Sequence, residues 1–383
     1  MNILFVDQFT DPGGAQRCLM DLLPEVKRRG WHPHLLAPGD GELAKWCRAC
    51  EIPVHALPLR PCSNGTKTAM DLLRYSFDVP RMGAAIRRLI GSQMIDVIYV
   101  NGPRVLPAVV RLSRIPVIFH AHSDIGGGYI RKLARRSIRS AKAAVIAASK
   151  FVAVAWPEAH VIYNGVADLL LGSRSFGNRP ARIGILGRIS PEKGQLDFVR
   201  AARQVTATFH VYGAPLFSEP GYDLAVRAEA KNAPVEFCGW TNDIAAALHK
   251  IDVLAVPSGP TEAATRVIME AFSAGTPVIA YRSGGIPELI EDGRTGILTE
   301  SPDAEALARA IRLLIADPAK MERLSIAGRS EWESRFRLDT FQQNICDFIE
   351  SAAGRATSAS RSRSPAAAHA YDERRDSQET VSR

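Results

Sequence analysis

The chain has 383 residues, of which 46% are hydrophobic and 23% charged, as expected of a globular protein long enough for two domains. No apolar run reaches the 18 or more residues of a membrane-spanning helix, and the six scattered cysteines argue against a disulfide framework or a paired-cysteine zinc site. The net charge of +8 is uneven, because residues 1–180 carry 24 Lys and Arg against 13 Asp and Glu, whereas residues 181–354 carry 18 against 23.

The N-terminal half alternates short apolar runs with helical patterns. It begins MNILFVDQF, which enters a strand directly without the charged and apolar segments of a secretory leader, so we expect a cytoplasmic protein. We predict a first α/β domain over residues 1–170 with seven mostly parallel strands. These strands are NILFV, HPHLLA, PVHALPL, DVIYV, PVIFHA, AAVIAAS and HVIYN.

A segment rich in Gly, Ser, Arg and Pro, residues 171–181, is predicted to be a linker. The second domain, residues 182–335, repeats the strand and helix alternation with RIGIL, TFHVYG, VEFCG, DVLAVPS, TPVIAY and TGILTE. A helical pattern follows over residues 336–352. Residues 353–383 lack periodic apolar residues, and we predict that they are disordered.

A basic loop follows the strand RIGIL at the start of the second domain. Arg188 and Lys193 supply two cations, and Gly187 lets the backbone approach a ligand closely. A guanidinium can grip a phosphate with two hydrogen bonds, and an ammonium acts as a point charge. The pattern favours a phosphate site, although surface loops are often basic.

Two carboxylates eight residues apart, Glu262 and Glu270, follow the strand DVLAVPS. Eight residues at 100° each would put two helical side chains about 80° apart, so we place Glu262 in the loop and Glu270 within the helix. Carboxylates repel phosphate, and their natural partners are hydroxyl groups, such as those of sugars. Thr265 is expected to cap that helix with its hydroxyl.

Glycines and histidines mark the ends of two strands in the first domain. Gly13 and Gly14 follow NILFV and open a helix, so they bind a ligand through the backbone or form a tight turn with positive φ. His120 and His122 end the strand PVIF, and strand alternation points both to one side. A metal site on this pair lacks a third ligand at suggestive spacing.

Together these segments resemble the retaining glycosyltransferases of family 4, which have the GT-B fold. The resemblance rests on the order of DPGGAQR, DVIYVNG, VIFHAHSD, VIYNGV, GRISPEKG, VEFCGW and the paired glutamates. One departure is that many family members have Phe-Gly where this chain has Ala264 and Thr265.

The resemblance implies two Rossmann-like domains facing across a cleft, with the last helix crossing back to the first domain. It implies transfer of a sugar from a nucleotide diphosphate without a metal or other cofactor. The catalytic residues implied are His122, Arg188, Lys193 and Glu262. The donor-binding residues implied are Gly13, Gly14, His120, Gly187, Thr265, Arg266, Val267 and Glu270. His122 is favoured over His120 for the cleft, though the spacing leaves both open.

The densest basic segment, residues 131–142, places Arg131, Arg135 and Arg139 on one helical face. Such a face suits anionic lipid head groups or is simply solvated. Because many family relatives act on lipid-linked acceptors, we expect contact with the inner face of the cell membrane.

Two other functions fit these sequence patterns, and two more are disfavoured by them. A nucleotide-sugar epimerase of the same fold and a non-catalytic nucleotide-sugar-binding protein remain as alternatives. Nucleic-acid binding is disfavoured, because few aromatic residues are interleaved with the basic ones. The chain lacks G-x-G-x-x-G at the first glycine loop, which argues against a dinucleotide dehydrogenase.

Overall fold

The computed structural model describes residues 1–11, 13–61, 68–110, 112, 115–125, 128–172, 174–177, 179–216, 221–263 and 265–361. Within these ranges the chain forms two parallel β-sheets, each covered by helices on both faces. Sheets covered on both faces bury their strands completely, which is why the strands are nearly continuous apolar runs. The predicted α/β class and both sets of strands are confirmed.

The first sheet contains seven strands in the order β3-β2-β1-β4-β5-β6-β7, all parallel. The strands are β1 (Asn2–Val6), β2 (His32–Ala37), β3 (Val54–Ala56), β4 (Val97–Val100), β5 (Val117–Ala121), β6 (Ala144–Ala147) and β7 (His160–Val161). The strand order reverses between β1 and β4, so the loops after these strands diverge and leave a crevice at their carboxyl ends.

The second sheet repeats this topology in the order β10-β9-β8-β11-β12-β13. Its strands are β8 (Arg182–Leu186), β9 (Thr208–Tyr212), β10 (Val235–Gly239), β11 (Val253–Val256), β12 (Val278–Tyr281) and β13 (Ile297–Thr299). Here the order reverses between β8 and β11. The basic loop follows β8 and the glutamate segment follows β11, so both lie at the place where such sheets bind ligands.

The α-helices fill the spaces between strands and cover the sheets. They are α1 (Gly14–Arg28), α2 (Glu42–Ala49), α3 (Ala69–Gln93), α4 (Tyr129–Ala141), α5 (Lys150–Ala153), α6 (Gln195–Ala202), α7 (Tyr222–Ala230), α8 (Ile244–His249), α9 (Arg266–Ser273), α10 (Ala304–Ile315), α11 (Pro318–Arg335) and α12 (Leu338–Arg361). Each sheet has one apolar cluster on either face. None of the helices in the described ranges has the length and apolar character needed to cross a bilayer.

The last helix, α12, returns to the first domain, as the GT-B resemblance implied. Phe341, Ile345 and Ile349 are buried in the same cluster as the apolar face of α1. The helix continues to Arg361, past the predicted end at 352, and Ala352 and Ala353 still pack against this cluster. The rest of the predicted tail, residues 362–383, lies outside the described residues.

Candidate active site

A cleft of about 610 Å³ separates the two domains where the carboxyl ends of their strands face each other. Its walls include every residue that the sequence analysis selected for catalysis or donor binding. These are Gly13, Gly14, His120, His122, Gly187, Arg188, Lys193, Glu262, Thr265, Arg266, Val267 and Glu270. The topology therefore brings together groups that are up to 257 positions apart along the chain, as the lining from Gly13 to Glu270 shows.

The basic wall of the cleft is the loop after β8. Gly187 has φ +140°, a conformation that favours glycine, and a Cβ there would meet open space. Arg188 Nη2 lies 3.0 Å from Glu192 Oε1, and Lys193 Nζ lies 2.5 Å from Glu262 Oε2. Both cations thus already have a carboxylate partner, which an incoming phosphate would have to replace.

The acidic groups come from the segment after β11. Glu262 lies in the loop and Glu270 within α9, as predicted. Glu270 is buried and accepts a hydrogen bond of 2.8 Å from Arg266 Nε. Arg266 also lies 2.6 Å from Asp21 of α1, so this side chain joins the second domain to the first beside the cleft.

Thr265 occupies the N-cap position of α9, but its hydroxyl caps nothing, and the prediction of a side-chain cap is wrong. The amide of Ile268, which the hydroxyl would have bound, instead donates to the carbonyl oxygen of Thr265 at 3.0 Å. The Thr265 Oγ1 atom is buried and has no hydrogen-bond partner among the residues that the structure describes. Ala264, which replaces the family Phe, lies outside the described residues.

The histidines contact each other at the end of β5, with ring centroids 3.8 Å apart and the ring planes tilted by 39°. His120 is buried and its Nδ1 lies 2.6 Å from the Tyr99 hydroxyl, whereas His122 is half-buried. Both line the cleft, and His122 is the more exposed of the two. The two rings share one side because residues i and i+2 of a strand point the same way.

His122 belongs to a buried chain of hydrogen bonds that the sequence analysis missed. Its Nε2 lies 2.7 Å from Asn101 Oδ1, and Asn101 Nδ2 donates to Asp7 Oδ2 at 2.6 Å. Gln16 Nε2 donates to the other oxygen of Asp7, and Gln16 Oε1 accepts from the Gly13 amide. Because Asn101 uses its amino group toward Asp7, its oxygen must accept, and His122 therefore carries its proton on Nε2.

Burial sets the protonation states in this chain. It lowers the pKa of His122 to about 4, so the ring is neutral at physiological pH. It raises the pKa of Asp7 to about 6, against hydrogen bonds from Asn101, Phe9 and Gln16 that favour the charged form. Asp7 and Asn101 each come directly after a buried strand, which is the signal that would have found them.

The glycine loop opens α1 without the positive φ that a tight turn would need. Gly13 has φ −100° at the N-cap, and Gly14 is absent from the described glycines with positive φ. A Cβ on Gly14 would meet nothing within 4 Å. The protein's own packing does not require glycine here, which leaves the cleft volume beside Gly14 free for a ligand.

The segment from Ser283 to Gly285 supports the loop that carries Glu262. The Gly285 amide donates to the Glu262 carbonyl at 2.9 Å. A Cβ on Gly284 would come within 2.2 Å of that same carbonyl, so only glycine allows this approach. Gly284 and Gly285 therefore hold the backbone of Glu262 in position.

Two family models match the chain. The model for Glycosyltransferase Family 4 matches residues 12–168, and the model for Glycosyl transferases group 1 matches residues 180–317. Together they account for most of both domains. The chain belongs to glycosyltransferase family 4. The resemblance drawn from the order of the motifs is confirmed.

The curated relatives of this family 4 chain include two mannosyltransferases. It is 32% identical over 182 residues to a GDP-mannose-dependent alpha-(1-6)-phosphatidylinositol monomannoside mannosyltransferase of Mycolicibacterium smegmatis, a match covering 42% of this chain and 46% of that protein. It is 26% identical over 347 residues to the phosphatidyl-myo-inositol mannosyltransferase of Mycobacterium leprae, covering 84% and 88%. With the first of these relatives, the chain matches about half of that protein's length.

Among solved structures, the family 4 chain resembles HepE of Anabaena, crystallised in complex with UDP and glucose. The TM-score is 0.76 at 26% identity, over 92% of this chain and all of HepE. The predicted GT-B fold, with two Rossmann-like domains and a cleft between them, is confirmed.

Proposed function

We propose that this chain is a retaining glycosyltransferase that moves a sugar from a nucleotide diphosphate to a glycan or lipid-linked acceptor, in cell-surface polysaccharide or glycolipid synthesis. The observation that carries the proposal is the pairing of charges in one cleft. Lys193 touches Glu262 at 2.5 Å, and Arg188 lies on the same loop. A sugar diphosphate carries both the anion and the hydroxyl groups that would separate this pair.

In the proposed mechanism, the cations stabilise the leaving group. Arg188 and Lys193 bind the diphosphate as its bond to the anomeric carbon breaks, and they do so without a metal ion. Glu262 accepts hydrogen bonds from the donor sugar, and Glu270 from the ribose. The acceptor oxygen bonds to the anomeric carbon on the face that the diphosphate leaves, and the acceptor proton passes to the departing phosphate oxygen.

The first domain supplies the opposite wall in this proposal. The backbone at Gly14 faces the diphosphate and acceptor, while the neighbouring Gly13 amide is held by Gln16. His122, neutral and fixed by Asn101, contacts the transferred sugar, with His120 behind it. Because the Gly13 amide and His122 belong to one hydrogen-bond chain, the network holds the glycine loop and the histidine in register with each other.

Relatives support the substrate classes without fixing the base or the sugar. The Mycolicibacterium protein is named for GDP-mannose and a phosphatidylinositol mannoside, and the HepE crystals contain UDP and glucose. We therefore propose a purine or pyrimidine nucleoside diphosphate sugar, with a thermal-shift panel of GDP, UDP and their sugars to choose between them. A ligand that binds only the native form raises the melting temperature.

The decisive experiment measures release of nucleoside diphosphate from the selected donor, with and without a lipid extract. Lys193→Ala and Glu270→Ala should each lose most of the transfer, by at least about 100-fold, because each removes a charged contact to the donor. Lys231→Ala and Glu305→Ala remove exposed charges away from the cleft and serve as matched controls. Wild-type rates in either cleft variant would reject the site assignment.

The same assay separates the alternatives. A nucleotide-sugar epimerase converts its substrate without an acceptor, and a binding protein shows a thermal shift without turnover. Release that depends on the acceptor, with the product sugar linked in the donor's anomeric configuration, is expected of the retaining transferase alone.

A further inference from the structure

Away from Lys193 and Glu262, three side chains with metal-binding atoms lie close together on strands β9 and β10. His210 projects from β9, and Glu236 and Cys238 project from β10, the edge strand of the second sheet. Their ligand atoms all lie within 4.8 Å of one another. The ladder pairs Glu236 with His210, and its irregularity between Phe237 and Gly239 leaves Cys238 without a partner across the sheet.

The spacing of these atoms suits a tetrahedral zinc-type site. Zinc bonds of about 2.0–2.3 Å place a nitrogen and an oxygen ligand about 3.4 Å apart, and a nitrogen and a sulfur ligand about 3.6 Å apart. His210 Nδ1 lies 3.4 Å from Glu236 Oε2 and 3.9 Å from Cys238 Sγ. Small side-chain rotations would therefore bring all three atoms onto one ion.

The imidazole is already oriented for this role. His210 Nε2 lies 3.3 Å from Thr208 Oγ1, a bond that leaves Nδ1 facing the glutamate and the cysteine. Metal-binding histidines usually donate their second ring N–H to such a partner, which fixes the tautomer. Burial lowers the pKa of His210, so the ring is neutral and Nδ1 is free of a proton at neutral pH.

The charges around the cluster are compatible with a divalent ion. A thiolate and a carboxylate together offset two positive charges. The nearby guanidinium of Arg182 is paired with Asp252 at 3.3 Å. Burial raises the pKa of Cys238, while the ammonium of Lys250 acts in the opposite direction and favours the thiolate.

We propose that His210, Glu236 and Cys238 bind a divalent cation of the zinc class, with a fourth position open to water. Thiolate and imidazole ligands select such ions over magnesium or calcium, which prefer oxygen. The ion clamps the irregular edge strand β10 to β9. Its groove shares Tyr212, Trp240 and Thr241 with the interdomain cleft, but the ion takes no part in the proposed sugar transfer.

The test is a cobalt(II) titration of the full chain in a buffer with a phosphine reductant and no added thiol. The wild type should show thiolate-to-cobalt charge-transfer absorption that saturates at one equivalent and disappears when zinc is added. Affinity should increase with pH, because the metal displaces the proton of Cys238, whose pKa is raised by burial. Zinc should also raise the melting temperature.

Variants assign the signal to this cluster. Cys238→Ser should abolish the absorption, whereas Cys50→Ser, which removes another half-buried free cysteine, should keep it. Thr208→Val should weaken binding about 10- to 100-fold by freeing the imidazole. Glu236→Gln, at a side chain that is 70% exposed, should weaken binding without affecting folding, and it decides the matter if Cys238→Ser does not fold.

Three results would overturn the proposal. One is the absence of charge-transfer absorption in the wild type at millimolar cobalt. Another is absorption in a folded Cys238→Ser variant equal to that of the wild type. The third is wild-type affinity in both Glu236→Gln and Thr208→Val.

Discussion

Lys193 and Glu262 form an ion pair in the cleft that suits a ligand with both a phosphate group and sugar hydroxyl groups. Their contact of 2.5 Å makes each group the charged partner of the other. A phosphate that bound Lys193 alone would leave the Glu262 carboxylate without its partner. A sugar that bound Glu262 alone would leave the Lys193 ammonium without its partner. A molecule that carries both groups satisfies the two charges together, so the pair discriminates in favour of the complete donor.

A substitution at Gly14 tests whether the ligand occupies the empty volume beside this residue. Gly14→Leu should fold normally, since a Cβ there meets no atom of the described residues within 4 Å, and should weaken nucleotide binding at least about tenfold by occupying the cleft. Calorimetric titration and thermal melting check both parts. Gly91→Leu, a helical glycine of α3 that also faces open space, should leave binding unchanged. Equal affinities in the two variants would contradict the assignment.

Asp7 gives the folded state a specific dependence on pH. Its pKa rises from 3.8 to about 6 on burial, so protonation favours the native state, and this part of the stability is lost as the pH rises from about 4 to 6. Relative to Asp7→Asn, the wild type should gain up to about 3 kcal/mol between pH 7 and pH 4. Urea unfolding at both pH values measures this gain. A difference that stays constant with pH would show that the raised pKa is incorrect.

Helix α12 shows how one element completes a domain far from it in the sequence. The helix lies at the C-terminal end, yet its apolar face closes the core around α1 and the first sheet. Arg29, the C-cap residue of α1, extends the contact to Asp347 at 3.2 Å. The first domain therefore depends on residues that follow the second domain in the chain.

Ile345→Ala measures this dependence. Ile345 is fully buried in the cluster, so its truncation should cost about 2–5 kcal/mol and lower the thermal stability of the first domain. Asn344→Ala, at the exposed neighbouring position, is the matched control and should melt like the wild type. Identical melting curves for the two variants would mean that α12 does not complete this core.

Across the molecule, the two domains are joined at several points around the cleft. Glu288 of the second domain accepts hydrogen bonds from the amides of Lys150 and Phe151 at the start of α5, and from the Tyr163 hydroxyl. Arg266 joins α9 to Asp21 on the other side. These contacts fix the spacing between the basic loop and the histidines, which the proposed chemistry requires.

The basic helix α4 is the surface by which we propose that the molecule meets an anionic membrane. Arg131 is paired with Asp124 at 2.7 Å, and Arg135 donates to the Ala155 carbonyl, while Arg139 is exposed. Replacing Arg131, Arg135 and Arg139 by Gln should weaken binding to anionic vesicles about 10- to 100-fold, because each charge contributes up to about 1 kcal/mol. Cosedimentation at low and high salt measures the effect.

A variant with the same loss of charge elsewhere controls for net charge. Arg203, Arg309 and Arg323 lie on the second domain, and their replacement by Gln should change vesicle binding much less. Equal losses in the two triple variants would show that binding follows total charge rather than a specific face.

The amino-acid sequence by itself determined the strands, the two-domain order and twelve of the residues that line the cleft. It did so because buried parallel strands are readable as apolar runs, and the groups that follow them must collect at the carboxyl edges of the sheets. The fold then brings the loops after β8 and β11 side by side, whatever their separation along the chain.

Only the tertiary structure decided which of these groups touch. The pair Lys193 with Glu262 depends on β8 and β11 being neighbours in the second sheet. The pair Arg266 with Asp21 depends on how the two domains face each other. The chain from His122 through Asn101 to Asp7, and the cluster at His210, depend on which strands are neighbours and in what register. The spacing of residues along the chain does not specify how the domains are oriented or which strands are neighbours, because packing between distant segments decides these features.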